Sequence, residues 1–100
     1  MEGGREPESL DIVMATVFIP SLLRKLTGGK DRATALGATV REIIEDLERQ
    51  FPGIRDRVIE NGDLTGSIAV SVNGEISTEG LHQSVPDESE IHFVPAIGGG

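Results

Sequence analysis

The chain has 100 residues, 17 acidic against 9 basic side chains, a net charge of −8 and no cysteine. This length supports one domain, and without cysteine there is no disulfide framework, thiolate metal site or cysteine nucleophile. So acidic a surface argues against nucleic acid and membrane as partners and favours a partner with a basic docking face, while the lack of a bilayer-spanning run or visible signal peptide points to the cytoplasm.

Residues 1–13 hold Glu2, Glu6, Glu8 and Asp11 against Arg5 alone, with Gly3, Gly4 and Pro7 and little apolar content. Such a segment is expected to be a disordered N-terminal extension. From Met14 the pattern changes. Ala15, Val17 and Ile19 alternate, which predicts a half-buried strand ended by Pro20. Gly28-Gly29 marks a turn, and a second short strand is expected over 32–36.

Thr39 opens the clearest element. Thr39-Val40-Arg41-Glu42 has the form of a capping box, in which the threonine oxygen accepts from a first-turn N–H and Glu42 reaches back. Val40, Ile43, Ile44, Leu47 and Phe51 then share one helical face, opposite Arg41, Glu45, Glu48 and Arg49. Pro52-Gly53 stops the helix. Residues 55–66 read as a polar loop with Val58, Ile59 and Leu64 as anchors. Residues 67–72 alternate strictly with Ile68, Val70 and Val72 inward, Asn73-Gly74 is a hairpin turn, and Ile76 begins the return strand. A connector over 80–85 leads to a last strand over 90–95, with Ile91 and Phe93 on one face and His92 and Val94 on the other. The order β-β-α-β-β-β with one apolar helix face predicts an α+β domain, a mixed sheet curled around a single main helix.

No set of side chains suggests an enzyme. Two histidines, His82 and His92, cannot supply a triad or a multi-histidine metal site, and both read as ordinary surface or strand residues. Gly28-Gly29-Lys30 lacks the spacing and setting of a phosphate loop. Glu45-Asp46 and Asp87-Glu88 read as solvated acidic pairs, and three phenylalanines make no stacking platform for bases.

The end of the chain is different. Pro95-Ala96-Ile97-Gly98-Gly99-Gly100 follows directly on the last strand. The domain is therefore read as 14–97 and a flexible glycine tail as 98–100. A leash without side chains can enter a narrow slot in another protein and present the Gly100 carboxylate, and glycine lets the slot wall approach the backbone closely. The candidate reacting group is Gly100, with Pro95, Ile97, Gly98 and Gly99 as candidate partner-binding residues. No metal site and no bound cofactor are expected.

Pieces spread over the chain from Met14 carry a family resemblance. They are Ile19-Pro20 with Leu23-Arg24, Thr27-Gly28-Gly29, Gly37 with Thr39-Val40, Phe51-Pro52-Gly53, Val72-Asn73-Gly74, Gly80-Leu81, Val94-Pro95-Ala96 and the diglycine end. In order and spacing they resemble the ubiquitin-like sulfur carriers: the small subunit of molybdopterin synthase, the thiamine sulfur carrier and, most closely, the carrier of thiocarboxylate-dependent cysteine synthesis. The resemblance implies a β-grasp fold. It also implies a protein co-substrate rather than a catalyst: an adenylating or sulfurtransferase enzyme would use ATP to activate Gly100, and the thiocarboxylate would serve a sulfur-accepting synthase. Two alternatives stay open, an accessory small subunit of molybdopterin synthase and a ubiquitin-like modifier conjugated through Gly100. Two departures stand out: Gly98 sits where relatives often have a side chain, and Asp87-Glu88-Ser89 sits where many have a glycine turn.

Overall fold

The described elements, in chain order, are β1 (Met14–Phe18), a 3-10 turn (Ser21–Leu23), β2 (Arg32–Leu36), α1 (Val40–Gln50), α2 (Ile54–Val58), β3 (Ile59–Glu60), β4 (Asp63–Leu64), β5 (Ile68–Val72), β6 (Glu75–Ile76), a second 3-10 turn (Gly80–His82) and β7 (Ser89–Pro95). They come from a computed structural model that describes residues 13–95. The tail expected over 98–100 and the extension expected over 1–13, Val13 excepted, lie outside the described residues. Val13 itself packs against the core, and its carbonyl accepts a hydrogen bond from Gly37 N–H at 2.8 Å.

Five strands form one sheet in the order β2-β1-β7-β5-β6. β1 and β7 run parallel at its centre and every other pairing is antiparallel, so the sheet is mixed, as expected. Strand alternation sends Ala15 and Val17 of β1, Val70 and Val72 of β5, and Ile91 and Phe93 of β7 into the core. Helix α1 covers that face with Val40, Ile43, Ile44 and Leu47, all fully buried. Thr39 caps it, its hydroxyl accepting from Glu42 N–H at 3.2 Å. The Glu42 carboxylate reaches back one residue beyond the cap, accepting from Ala38 N–H at 2.7 Å. Gly37 is required by proximity: a Cβ there would lie 2.6 Å from Glu42 Cβ and 2.8 Å from the helix backbone.

Two sequence expectations need correction. Residues 55–66 are not a simple loop. Gly53, with φ 103°, starts the short helix α2, which buries Ile54 and Val58, and β3 and β4 close a small hairpin of their own around Asn61-Gly62. Asp46 is not solvated. Its carboxylate is buried and accepts from Leu36 N–H (3.0 Å), Gln50 Nε2 (3.1 Å) and the Arg49 guanidinium. Gln50 Nε2 also donates to Thr34 O at 2.9 Å. In the β1–β2 register the even residues of β2 direct their backbone groups away from β1, a phase fixed by the flanking Ile19 N–H to Asp31 O and Gly37 N–H to Val13 O bonds. Asp46 and Gln50 therefore occupy two of the outward groups of an edge strand, which blunts it against pairing with another chain.

Candidate functional site

Strand β7 is clamped between two neighbours. Ser89 to His92 pair with β1, and Ile91 to Pro95 pair with β5. Its start is pinned as well. Asn73, at φ 53° in the two-residue β5–β6 turn, donates its N–H to Glu90 O at 2.8 Å and accepts from Glu90 N–H through Oδ1 at 2.9 Å. The described end of β7 at Pro95 is thus fixed to the body. Pro95 is exposed there, opposite Ile68. Of the candidate residues only Pro95 is described; Ile97, Gly98, Gly99 and Gly100 lie outside the described residues.

Phe93, Val94 and Pro95 extend past the end of the β1 register at Phe18. On that side the sheet continues into the turn after β1. Phe18, Ile19, Pro20, Arg24, Asp31, His92 and Phe93 line an open groove of about 280 Å³ beside the exit strand. The turn is built, not loose. Leu23 inserts into the core, Arg24 Nε donates to Ile19 O at 2.9 Å, and buried Thr27 directs its hydroxyl to the carbonyls of Lys30 (2.8 Å) and Arg24 (3.2 Å). Gly28 and Gly29, at φ 70° and 91°, let the chain double back.

On the outer face of the sheet, register lines up Arg32, Phe18, His92, Ser71 and Ile76 in one row across all five strands. His92 stacks on Phe18, with centroids 4.4 Å apart and planes 4° apart, and the Arg32 guanidinium lies 5.2 Å from the Phe18 centroid. By sequence His92 is an ordinary surface or strand residue, and no sequence pattern marks Phe18 or Arg32. The signal was weak, because the stack depends on a parallel pairing of strands more than seventy residues apart.

Among the described residues no group of three or more His, Asp or Glu side chains could hold a metal ion, and no helix is long and apolar enough to cross a membrane. Beside the stack, His92 Nε2 lies 4.0 Å from Glu90 Oε1 in a solvent-exposed contact. The arrangement offers a rigid exit for a chain end, flanked by an aromatic and cationic surface.

A mixed five-stranded sheet wrapped on one helix, with the last strand at its centre, defines a ubiquitin-like β-grasp protein. The chain belongs to the ThiS family, which it matches over residues 17–100. It is 34% identical over 90 residues to the sulfur carrier protein CysO of Mycobacterium tuberculosis, an alignment that takes in 85% of this chain and 97% of the relative. The crystal structure of the Amycolatopsis orientalis BexX/CysO complex includes a chain similar at 41% identity and TM-score 0.79, covering 86% of this chain and 99% of that one. The small archaeal modifier protein 1 of Methanosarcina acetivorans is similar at 26% identity and TM-score 0.72, covering 89% and 98%. Within that family the chain is similar to sulfur carrier proteins named CysO in both sequence and fold.

Proposed function

We propose that the protein carries sulfur as a thiocarboxylate on Gly100, for cysteine synthesis in the cytoplasm, as a co-substrate and not as a catalyst. The observation that carries this reading is the exit at Pro95. A strand held by β1 over Ser89–His92 and by β5 up to Pro95 fixes the point of the surface from which the glycine-rich segment follows, and the family match runs through to Gly100. The chemistry belongs to a partner enzyme. A Gly100 carboxylate oxygen attacks the α-phosphorus of ATP and pyrophosphate leaves. Sulfide then attacks the acyl carbon; a C–S bond forms, the C–O bond to AMP breaks, and AMP departs with the electron pair. Narrow glycines at 98–100 suit a slot that must close around backbone alone. A second protein, the sulfur-accepting synthase, takes the sulfur from the same leash.

Incubation with an adenylating enzyme, ATP and sulfide should raise the intact mass by the exchange of one oxygen for sulfur, localised to the C-terminal peptide. Deleting Gly100 should abolish the gain, because the reacting carbon would sit one residue out of place. Sulfur acquisition by the deleted chain would refute the reading. The likeness to archaeal modifier proteins favours one further role, conjugation of Gly100 to lysines of other proteins. It requires higher-mass conjugates in cell extract that disappear with Gly100.

A further inference from the structure

The charge of this protein is not spread evenly. Between Pro20 and Arg32 lie Arg24, Lys25, Lys30 and Arg32 with Asp31 as the one carboxylate, in a chain whose net charge is −8. All four cations are exposed. Both lysines of the whole sequence are among them. Within the lobe Arg32 Nε lies 3.7 Å from Asp31, an exposed pair, and on the helical side Arg49 and Arg55 are paired with Asp46 and Glu45. The 20–32 lobe is held in shape by Leu23, Thr27 and the Arg24–Ile19 bond, and at its tip Leu22 is 72% exposed, the most exposed large apolar residue described. The lobe borders the groove that Phe93 also lines, two residues before the exit at Pro95.

The length of chain beyond Pro95 decides what must touch this surface. Five residues from Ala96 to Gly100 can span at most about 17 Å. An enzyme that holds the Gly100 carboxylate in its active site must therefore bring its own surface against whatever surrounds the exit. On the β1 side that is the cationic lobe, which reaches the groove beside Phe93 through Pro20, Arg24 and Asp31 and carries the exposed Leu22. We propose that this lobe is the docking surface for the enzyme that activates Gly100, and that it meets an acidic face beside that enzyme's slot, with Leu22 entering an apolar pocket. The proposal rests on the carrier reading above. It reverses, for this one face, the basic partner surface that the overall charge suggests: the acidic remainder of the carrier is held off by the partner's acidic rim, which orients the lobe toward it.

The test is ATP–pyrophosphate exchange by an adenylating enzyme that turns over the wild-type chain, with the intact carrier as varied substrate. The variant Leu22→Ser/Lys25→Glu/Arg32→Glu leaves Leu23, Arg24 and Thr27 in place, and an unchanged melting temperature establishes that it is folded. KM should rise on the order of 10- to 100-fold with kcat little changed, because the tail and its carboxylate are untouched. Arg41→Glu/Arg57→Glu, the same kind of reversal on the helical side, should stay within about 2-fold. Raising NaCl from about 0.05 to about 0.5 M should raise the wild-type KM and leave that of the lobe variant nearly flat. A folded lobe variant with the wild-type KM overturns the docking proposal and leaves the carrier reading standing. Absence of exchange and of sulfur gain with the wild-type chain overturns the carrier reading and the proposal with it. Binding of a single-stranded RNA oligonucleotide by the wild type, lost in the lobe variant, would assign the patch to nucleic acid and also overturn it.

Discussion

Replacing Asp46 by Ala tests whether a buried carboxylate, not apolar packing alone, fastens helix α1 to the sheet edge. The substitution removes the acceptor for Leu36 N–H at 3.0 Å, for Gln50 Nε2 at 3.1 Å and for the Arg49 guanidinium. A hydrogen bond from a backbone N–H to a buried carboxylate contributes about 1.5–3 kcal/mol. Arg49 is largely exposed, so its ion pair adds only about 0.3–0.5 kcal/mol. Alanine returns about 0.5 kcal/mol in helix propensity. The net loss should be about 1.5–3 kcal/mol, and for a domain of this size each kcal/mol lowers the melting temperature by about 4–8 °C. Thermal and urea unfolding measure it directly. Asp46→Asn keeps the shape and one acceptor, so it should fall between Ala and wild type. With Leu36 N–H and Thr34 O less well covered, the Ala variant should also self-associate more at high concentration. A loss below about 0.5 kcal/mol, within the usual range of a surface change, would refute the pinning role.

Two further predictions concern local chemistry. Glu48 accepts from Arg55 N–H (2.8 Å) and Gly53 N–H (3.1 Å), which caps α2 from the preceding helix; these bonds hold its carboxyl below its ordinary pKa. A depressed folded-state pKa contributes stability that is present above the unfolded value and lost as pH falls through the folded one, so Glu48→Gln should flatten the stability curve between about pH 5 and about pH 3, and parallel curves for the two proteins would refute the cap. Glu88 stands at φ 63°, a left-handed position that costs a non-glycine residue roughly 1–2 kcal/mol, while glycine adds about 0.5–1 kcal/mol of unfolded-state entropy. Glu88→Gly should therefore stabilise by roughly 0.5–1 kcal/mol, and a fall in melting temperature would contradict it.

What the sequence made legible follows from how local each signal is. The stripe Val40, Ile43, Ile44, Leu47 is periodic within three turns, and all four residues are buried. Asn73-Gly74 is a complete turn in two letters, and both residues take positive φ. Asn61-Gly62 carries the same two letters and also forms a hairpin turn, yet its strands are two residues each, too short to show alternation. Gly53 served two purposes: after Pro52 it read as a stop, and it also starts α2. Asp46 was misread because its partners come from β2 and from the same helix, and only the crossing of α1 over the edge brings Leu36 N–H to it. The glycine run 98–100 is read from the sequence alone and lies outside the described residues, whereas the groove and the Phe18–His92 stack were not legible, because both depend on β1 lying parallel to a strand at the far end of the chain.

The turn at residues 87–89 ties these points to function. Where the chain enters β7, Glu88 takes a left-handed conformation at a cost. The conformation is imposed from both sides. Glu88 N–H donates to Met14 O at 2.6 Å, and Asp87 Oδ1 accepts from Met14 N–H at 2.9 Å, so the turn seats β7 beside β1 in register. Register at this end determines register at the other, because β7 continues without a break from Ser89 to Pro95. A slip of one residue would turn Ile91 and Phe93 to solvent and His92 inward, and would move the exit by about 3.3 Å. The strained turn, the Asn73 clamp on Glu90 and the core side chains of β7 therefore converge on one property, the position of Pro95. On the docking proposal, an enzyme that grips both lobe and tail would depend on that position, and relieving the strain at Glu88 with glycine should change stability without moving Pro95.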